Sequence, residues 1–130
     1  MTANDPLSDA LSGLDNAESV GHLRHTVAPA SNLIGDVLSV FAERGYIDGY
    51  EFVEDGKAGR FEVELNGAIN ECGVVKPRYS AGADEFEQWE KRYLPARDYG
   101  TLIVTTSHGV MSHYDAREAG VGGQVIDYVY

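Results

Sequence analysis

The chain changes texture at Asn66-Gly67, and this break constrains its fold more than any other feature of its 130 residues. Upstream, apolar residues recur at helical spacing in two segments and two β-rich runs follow; downstream, short β-rich runs are cut apart by Gly and Pro. Such segregation predicts an α+β fold, with an N-terminal α-β-α-β-β lobe over residues 1–66 and a small β-rich lobe with short helices over residues 67–130. Each lobe has only about 65 residues, a size at which a single core is marginal. Stability is therefore expected from a shared interface or from a partner.

In the first lobe, Asp5-Pro6 predicts a helix start, with Asp as cap and Pro at the first helical position. Leu7, Ala10, Leu11 and Leu14 follow at helical spacing, and Gly21 ends the run. Residues 23–27 alternate like a short strand that meets Pro29. Ser31 caps a second helix, whose Leu33, Ile34, Val37, Leu38, Phe41 and Ala42 make a broad apolar face before Gly45. Residues 46–53 and 60–65 read as the two strands of a hairpin.

In the second lobe, residues 69–75 and Arg78-Tyr79 look extended. Asp84-Glu85-Phe86-Glu87 has the form of a capping box before a short helix carrying Phe86, Trp89 and Tyr93, closed by Leu94-Pro95. Residues 102–106 are a β-rich run, a Ser-His-Gly loop follows, and Ser112-His113-Tyr114-Asp115 has the capping pattern of another helix. After the Gly120 to Gly123 turn, residues 124–130 are expected to form a closing strand.

With 43% hydrophobic residues the chain can bury a core. No apolar run approaches the roughly 18 residues of a membrane span, and the N-terminus lacks the pattern of a signal peptide, so a cytoplasmic location is expected. Cys72 is the single cysteine, which rules out an intrachain disulfide or a cysteine-based metal cluster. The formal charge of −11 taken alone opposes a nucleic-acid partner. In molar salt, however, the Debye length falls to about 3 Å, and acidity then says little about partners. Seven Arg against three Lys, with dispersed carboxylates, fit a solvated halophilic surface. A mesophilic acidic protein that avoids polyanions is the alternative on composition.

Thr105-Thr106-Ser107-His108-Gly109 is the most informative segment, because it is expected to join a buried strand to a helix N-terminus. There, unpaired N–H groups and the helix dipole favour an anion or another polar acceptor. An ordinary turn whose hydroxyls satisfy their own backbone is the competing reading. A catalytic reading makes Ser107 a nucleophile, His108 its base and Asp115 the orienter. Adjacent residues on an extended segment point to opposite faces, which opposes it. His22 with His25, and His108 with His113, show no metal-ligand spacing. Residues 1–67 carry 12 acidic and 4 basic groups, and residues 68–130 carry 9 and 6. Lys76, Arg78, Lys91, Arg92, Arg97 and Arg117, interleaved with Tyr79, Tyr93 and Tyr99, suit a face that touches phosphates and stacks on sugars or bases, ion pairing with carboxylates being the alternative.

Thr105-Thr106-Ser107-His108-Gly109-Val110-Met111 and Gly120-Val121-Gly122-Gly123-Gln124-Val125-Ile126 closely resemble the C-terminal signature of the small-subunit ribosomal protein number eight family. The resemblance extends to Asp5-Pro6-Leu7, Asn16-Ala17, Pro29-Ala30-Ser31 and Lys57-Ala58-Gly59-Arg60, and the segment from Trp89 to Arg97 is similar to the archaeal and eukaryotic branch. It implies a structural component of the 30S subunit that binds the central domain of 16S rRNA beside neighbouring small-subunit proteins, with no enzymatic activity, cofactor, small-molecule substrate or membrane. It further implies that Thr105, Thr106, Ser107, His108 and Gly109 lie against an irregular rRNA loop, with Met111, Gly122 and Gly123 completing that surface. Asp5, Asn16 and Ser31 are expected to approach the RNA from the first lobe, and Arg92, Tyr93 and Arg97 from the second. His108 stands where bacterial members often have Lys, and Gln124 where Glu is common, so a charge contact at either place is in doubt. A small hydrolase using Ser107 or Cys72, or a protein-interaction module without RNA, are the alternatives.

Overall fold

A computed structural model describes residues 6–96 and 98–130, and the chain divides into two compact units, residues 1–72 and 73–130. The expected α+β class is found, with the first unit in the order α-β-α-β-β.

In the first unit α1 (Pro6–Ser19) buries Leu7, Ala10, Leu11, Leu14 and Ala17, the stripe that a 3.6-residue period produces. The expected cap Asp5 lies outside the described residues. β1 (Arg24–Val27) follows. α2 (Asn32–Glu43) then starts at Ser31, whose Oγ accepts a hydrogen bond from the Ile34 N–H at 3.2 Å. Its end is closed by Tyr46 N–H donating to the Phe41 carbonyl (2.8 Å). β2 (Ile47–Val53) and β3 (Arg60–Leu65) form the hairpin, and β3 lies between β1 and β2 in an antiparallel sheet. Phe61, Val63 and Leu65 of β3 are buried, while Glu62 and Glu64 alternate to the other face. Asp55 fixes the hairpin loop by accepting from the Lys57 and Gly59 N–H groups at 3.0 and 2.9 Å.

Beyond β3, the Glu18 carboxylate of α1 accepts from the N–H groups of Gly67 (3.2 Å) and Ile69 (3.0 Å). Cys72 Sγ–H donates to the Leu11 carbonyl at 3.3 Å. Residues 67–72 are thereby tied to α1 and belong to the first unit, which ends at Cys72.

The second unit has a four-stranded sheet in the order β4-β7-β5-β6, where β4 is Cys72–Ala81, β5 is Thr101–Thr106, β6 is Gly109–Ser112 and β7 is Gly123–Val129. α3 (Phe86–Tyr93) and α4 (His113–Ala119) complete it. Val75, Phe86, Trp89, Leu102, Val104, Ala116 and Val125 form its core.

Three local expectations are corrected. The extended pieces before and after Pro77 are one ten-residue strand starting at Cys72, because β4 is a sheet edge, where a missing N–H costs little. The Asp84 capping box does not form: Glu85 is the cap residue of α3, and its carboxylate instead accepts from the Gly82 N–H at 2.6 Å. The third concerns the Ser-His-Gly loop.

Candidate nucleic-acid interface

Ser107 and His108 form a two-residue turn between β5 and β6, with Thr106 opposite Gly109, and the next helix starts only at His113. The expected junction of strand and helix N-terminus is therefore a hairpin, and the argument from helix dipole and free amides does not apply at Ser107. Gly109 has φ of +109°, a conformation that an L side chain would strain, and this lets the strand return at once. The capping pattern at Ser112 is realised separately, with its Oγ accepting from the Asp115 N–H at 3.1 Å.

The tip is internally braced. Thr106 Oγ1 donates to the Gly109 carbonyl (2.8 Å) and accepts from the His108 N–H (3.0 Å). The ordinary-turn reading thus holds for Thr106, whose one hydroxyl proton is committed. Ser107 and His108 are exposed at the end of a strand whose Thr101, Leu102, Ile103 and Val104 are buried. A rigid core strand thus presents a short polar tip.

Gly122 and Gly123 bring two other segments to this tip. A Cβ on Gly122 would sit 2.5 Å from the Ala81 carbonyl oxygen, and one on Gly123 would run into the Thr105 carbonyl oxygen. Only the absence of side chains lets these backbones touch. The result is an open groove of about 480 Å³ that brings together Thr105, Thr106, Ser107, Gly122 and Gly123 with Ser80, Gly82, Glu85 and Gln124. No Lys or Arg lines it, and Glu85 places a carboxylate at its margin. Such a surface suits base edges and sugar hydroxyls better than phosphate. Ser80 and Gly82 escaped the sequence reading because nothing in a linear pattern announces that β4 ends beside β7.

The remaining expected residues lie elsewhere. Met111 packs on the core of the second unit. The Arg92 guanidinium lies 5.6–5.9 Å from the ring centres of Tyr79, Trp89 and Tyr93, and Tyr93 stacks on Tyr128 at 5.5 Å. These two residues do not line the groove. Asn16 is exposed on α1, and Ser31 keeps its hydroxyl proton while its oxygen caps α2. Arg97, like Asp5, lies outside the described residues. A second pocket of about 480 Å³ is walled by Asp84, Glu87, Glu90 and Asp98 against Lys91 and Arg117, a balance that repels a polyanion. His113 is fully buried with Nδ1 accepting from the Leu102 N–H at 3.0 Å, whereas His108 is exposed. Among the described residues no His, Cys, Asp and Glu cluster fits a metal ion.

Comparison with known proteins gives this arrangement its setting. Residues 5–130 match the family Ribosomal protein S8. Small ribosomal subunit protein uS8 of Halobacterium salinarum is 83% identical over 130 residues, that of Haloquadratum walsbyi 81%, and that of Methanococcoides burtonii 59%, each over 100% of both chains. The chain belongs to the ribosomal protein S8 family. It is a structural ribosomal protein rather than an enzyme, and the hydrolase and RNA-free interaction readings are set aside.

Proposed function

We propose that this chain is a primary rRNA-binding constituent of the small ribosomal subunit in the cytoplasm, and that its second unit reads the central domain of 16S rRNA through the groove beneath Ser107. The observation that supports this reading is the meeting of Thr105–Ser107 with Gly122–Gln124 and Ala81-Gly82 in a groove lined by no cationic side chain. Splayed bases of an irregular helix offer hydrogen-bonding edges that an A-form major groove hides, and a floor of carbonyls, amides and the hydroxyls of Ser80, Thr105 and Ser107 matches them. Ser107 acts as the main side-chain contact, with Thr105 and the two glycines shaping the surface. Asn16, Ser31 and Asp5 of the first unit, and Arg92, Tyr93 and Arg97 of the second, supply flanking contacts to the RNA backbone. Neighbouring small-subunit proteins are the remaining partners.

Because few cations take part, few counterions are released on binding. A gel shift with a central-domain fragment of 16S rRNA tests both halves of the proposal. The Ser107→Ala variant should bind about five- to tenfold more weakly, the worth of one hydrogen bond. The slope of log affinity against log KCl should be shallower than about −3. Unchanged affinity would remove Ser107 from the contact, and a steep slope would return the interface to phosphate pairing.

A further inference from the structure

The sheet of the first unit leaves β2 as an edge, because its strand order is β1-β3-β2. Natural sheets blunt such an edge with Lys, Pro or a bulge. Here the bulge sits at the start, between Ile47 and Gly49, and residues 45–56 hold no Lys, Arg or Pro. The stretch after the bulge pairs regularly with β3.

The two faces of this edge differ chemically. On one, Tyr50 and Phe52 are 37% and 51% exposed, among the few large apolar side chains in that state. They are not loose. Both rest edge-on against Phe61, at 5.7 and 5.9 Å between ring centres, and Phe52 also lies on Gly59, where a Cβ would collide with its ring. On the other face, Glu51 stands opposite Glu62 in the ladder. Glu62 is held ionised by hydrogen bonds from Arg60 at 2.7 Å and Thr26 at 2.9 Å, which pull its carboxyl below the ordinary range. Beside them Gly49 leaves open space in a groove of about 310 Å³ lined by Glu51, Glu62, Glu64 and Arg24.

We propose that the β2 edge docks an extended segment of another protein, in which basic residues alternate with apolar ones, as a fourth strand of this sheet. A strand added there projects alternate side chains to opposite faces. One set covers Tyr50 and Phe52, whose fixed rings serve as preformed anchors. The other set brings Lys or Arg beside Glu51, which has no cationic partner of its own among the described residues, whereas Glu62 has Arg60. An RNA strand is disfavoured because Glu51, Glu62 and Glu64 outnumber Arg24 and Arg60 on this face, and a second copy of this chain would bring the same carboxylates to the seam again.

Photocrosslinking tests this in small subunits carrying the full-length chain with p-benzoylphenylalanine in place of Phe52, an exposed ring whose enlargement leaves the core intact. The function proposed above is assumed only for this arm, and recovery of the chain in the particle reads it separately. The expected product joins residue 52 to a protein segment with Lys or Arg at alternate positions, and Glu51→Lys should lower its yield at least about fivefold. A product with rRNA or with a second copy, or no product from a chain that is in the particle, overturns the proposal. If the chain is missing from the particle, the function reading fails instead. In every case the free chain is titrated in molar KCl with a synthetic peptide alternating Val and Arg. Amide shifts concentrated in residues 48–54, absent with a Val-Glu peptide, support the docking edge; shifts elsewhere or none overturn it.

Discussion

In the first unit α2 presses Ile34, Val37, Leu38 and Phe41 into the core, whereas the groove of the second unit, beside a side-chain core of its own, is closed by main chain on main chain, Gly122 on Ala81 and Gly123 on Thr105. Side-chain packing of the first kind excludes water and leaves little polar surface behind. Main-chain packing of the second kind does the reverse, because carbonyls and amides brought close at a sheet end remain partly open to solvent. A scaffold and a polar recognition surface thus arise from different choices at the same level of structure. The exposed Ser107 belongs to the second.

That contrast is broken or sharpened first by paired substitutions followed by chemical denaturation in molar KCl. Phe41, fully buried, should cost about 3–5 kcal/mol when changed to Ala, as a large core deletion does. Gly123→Ala adds a single methyl group, yet it should cost about 1–3 kcal/mol, because the atom it meets is a backbone oxygen of the neighbouring strand. A neutral Gly123→Ala would show that the second unit does not depend on main-chain contact.

Next in size is a buried carboxyl. Asp127 on β7 is fully buried, neither of its carboxylate oxygens has a hydrogen-bond partner among the described residues, and it stands opposite Ile103. Burial pushes its carboxyl well above the ordinary 3.8, with the charge of Arg78 opposing the shift. The folded state therefore keeps a proton that the unfolded chain releases, and stability falls as pH rises from about 3.8 through the raised value. Asp127→Asn removes that loss and should stabilise the protein by about 1–3 kcal/mol at neutral pH, with no gain below pH about 4. Parallel stability curves for the two proteins would mean that water or a partner group satisfies the carboxylate.

The same contrast explains what was legible in the sequence. The first unit was readable because periodicity and caps are local: the 3- and 4-residue spacing of α1 and α2, the Ser31 cap and the two-residue alternation of β3 all reappear in the structure. In the second unit every helix and all strands but β6 were found, but not how they meet. The helix cap expected at Ser112 is where the structure has it, but β6, which separates it from the Ser107 turn, was missed, because a strand of only four residues is too short to show a period. Pro77 divided β4 on paper because edge position is a property of the sheet, not of the strand. Of the groove-lining residues, Thr105, Thr106, Ser107, Gly122 and Gly123 were named through resemblance, while Ser80, Gly82 and Glu85 were not, and the geometry could not be read at all: Thr105 and Gly123 are neighbours only because β5 pairs with β7.

The smallest expected effect bears on charge, which neither unit should need for stability in its native salt. Lys91 and Glu87 are four apart on α3, 3.3 Å from each other, with side chains 76% and 75% exposed. In bulk solvent such a pair contributes at most a few tenths of a kcal/mol, because immobilising two long side chains offsets the attraction. Molar salt shortens the Debye length to about 3 Å, close to the separation of the pair, so little of that remains. Lys91→Gln should therefore leave stability within about 0.3 kcal/mol of the parent in 2–3 M KCl, as read by thermal denaturation, and lower it slightly more at about 0.1 M, where screening is weaker. Loss of more than about 1 kcal/mol at high salt would mean that surface ion pairs hold the second unit together. Main-chain packing at Gly122 and Gly123 would then be a lesser part of what keeps the groove in shape.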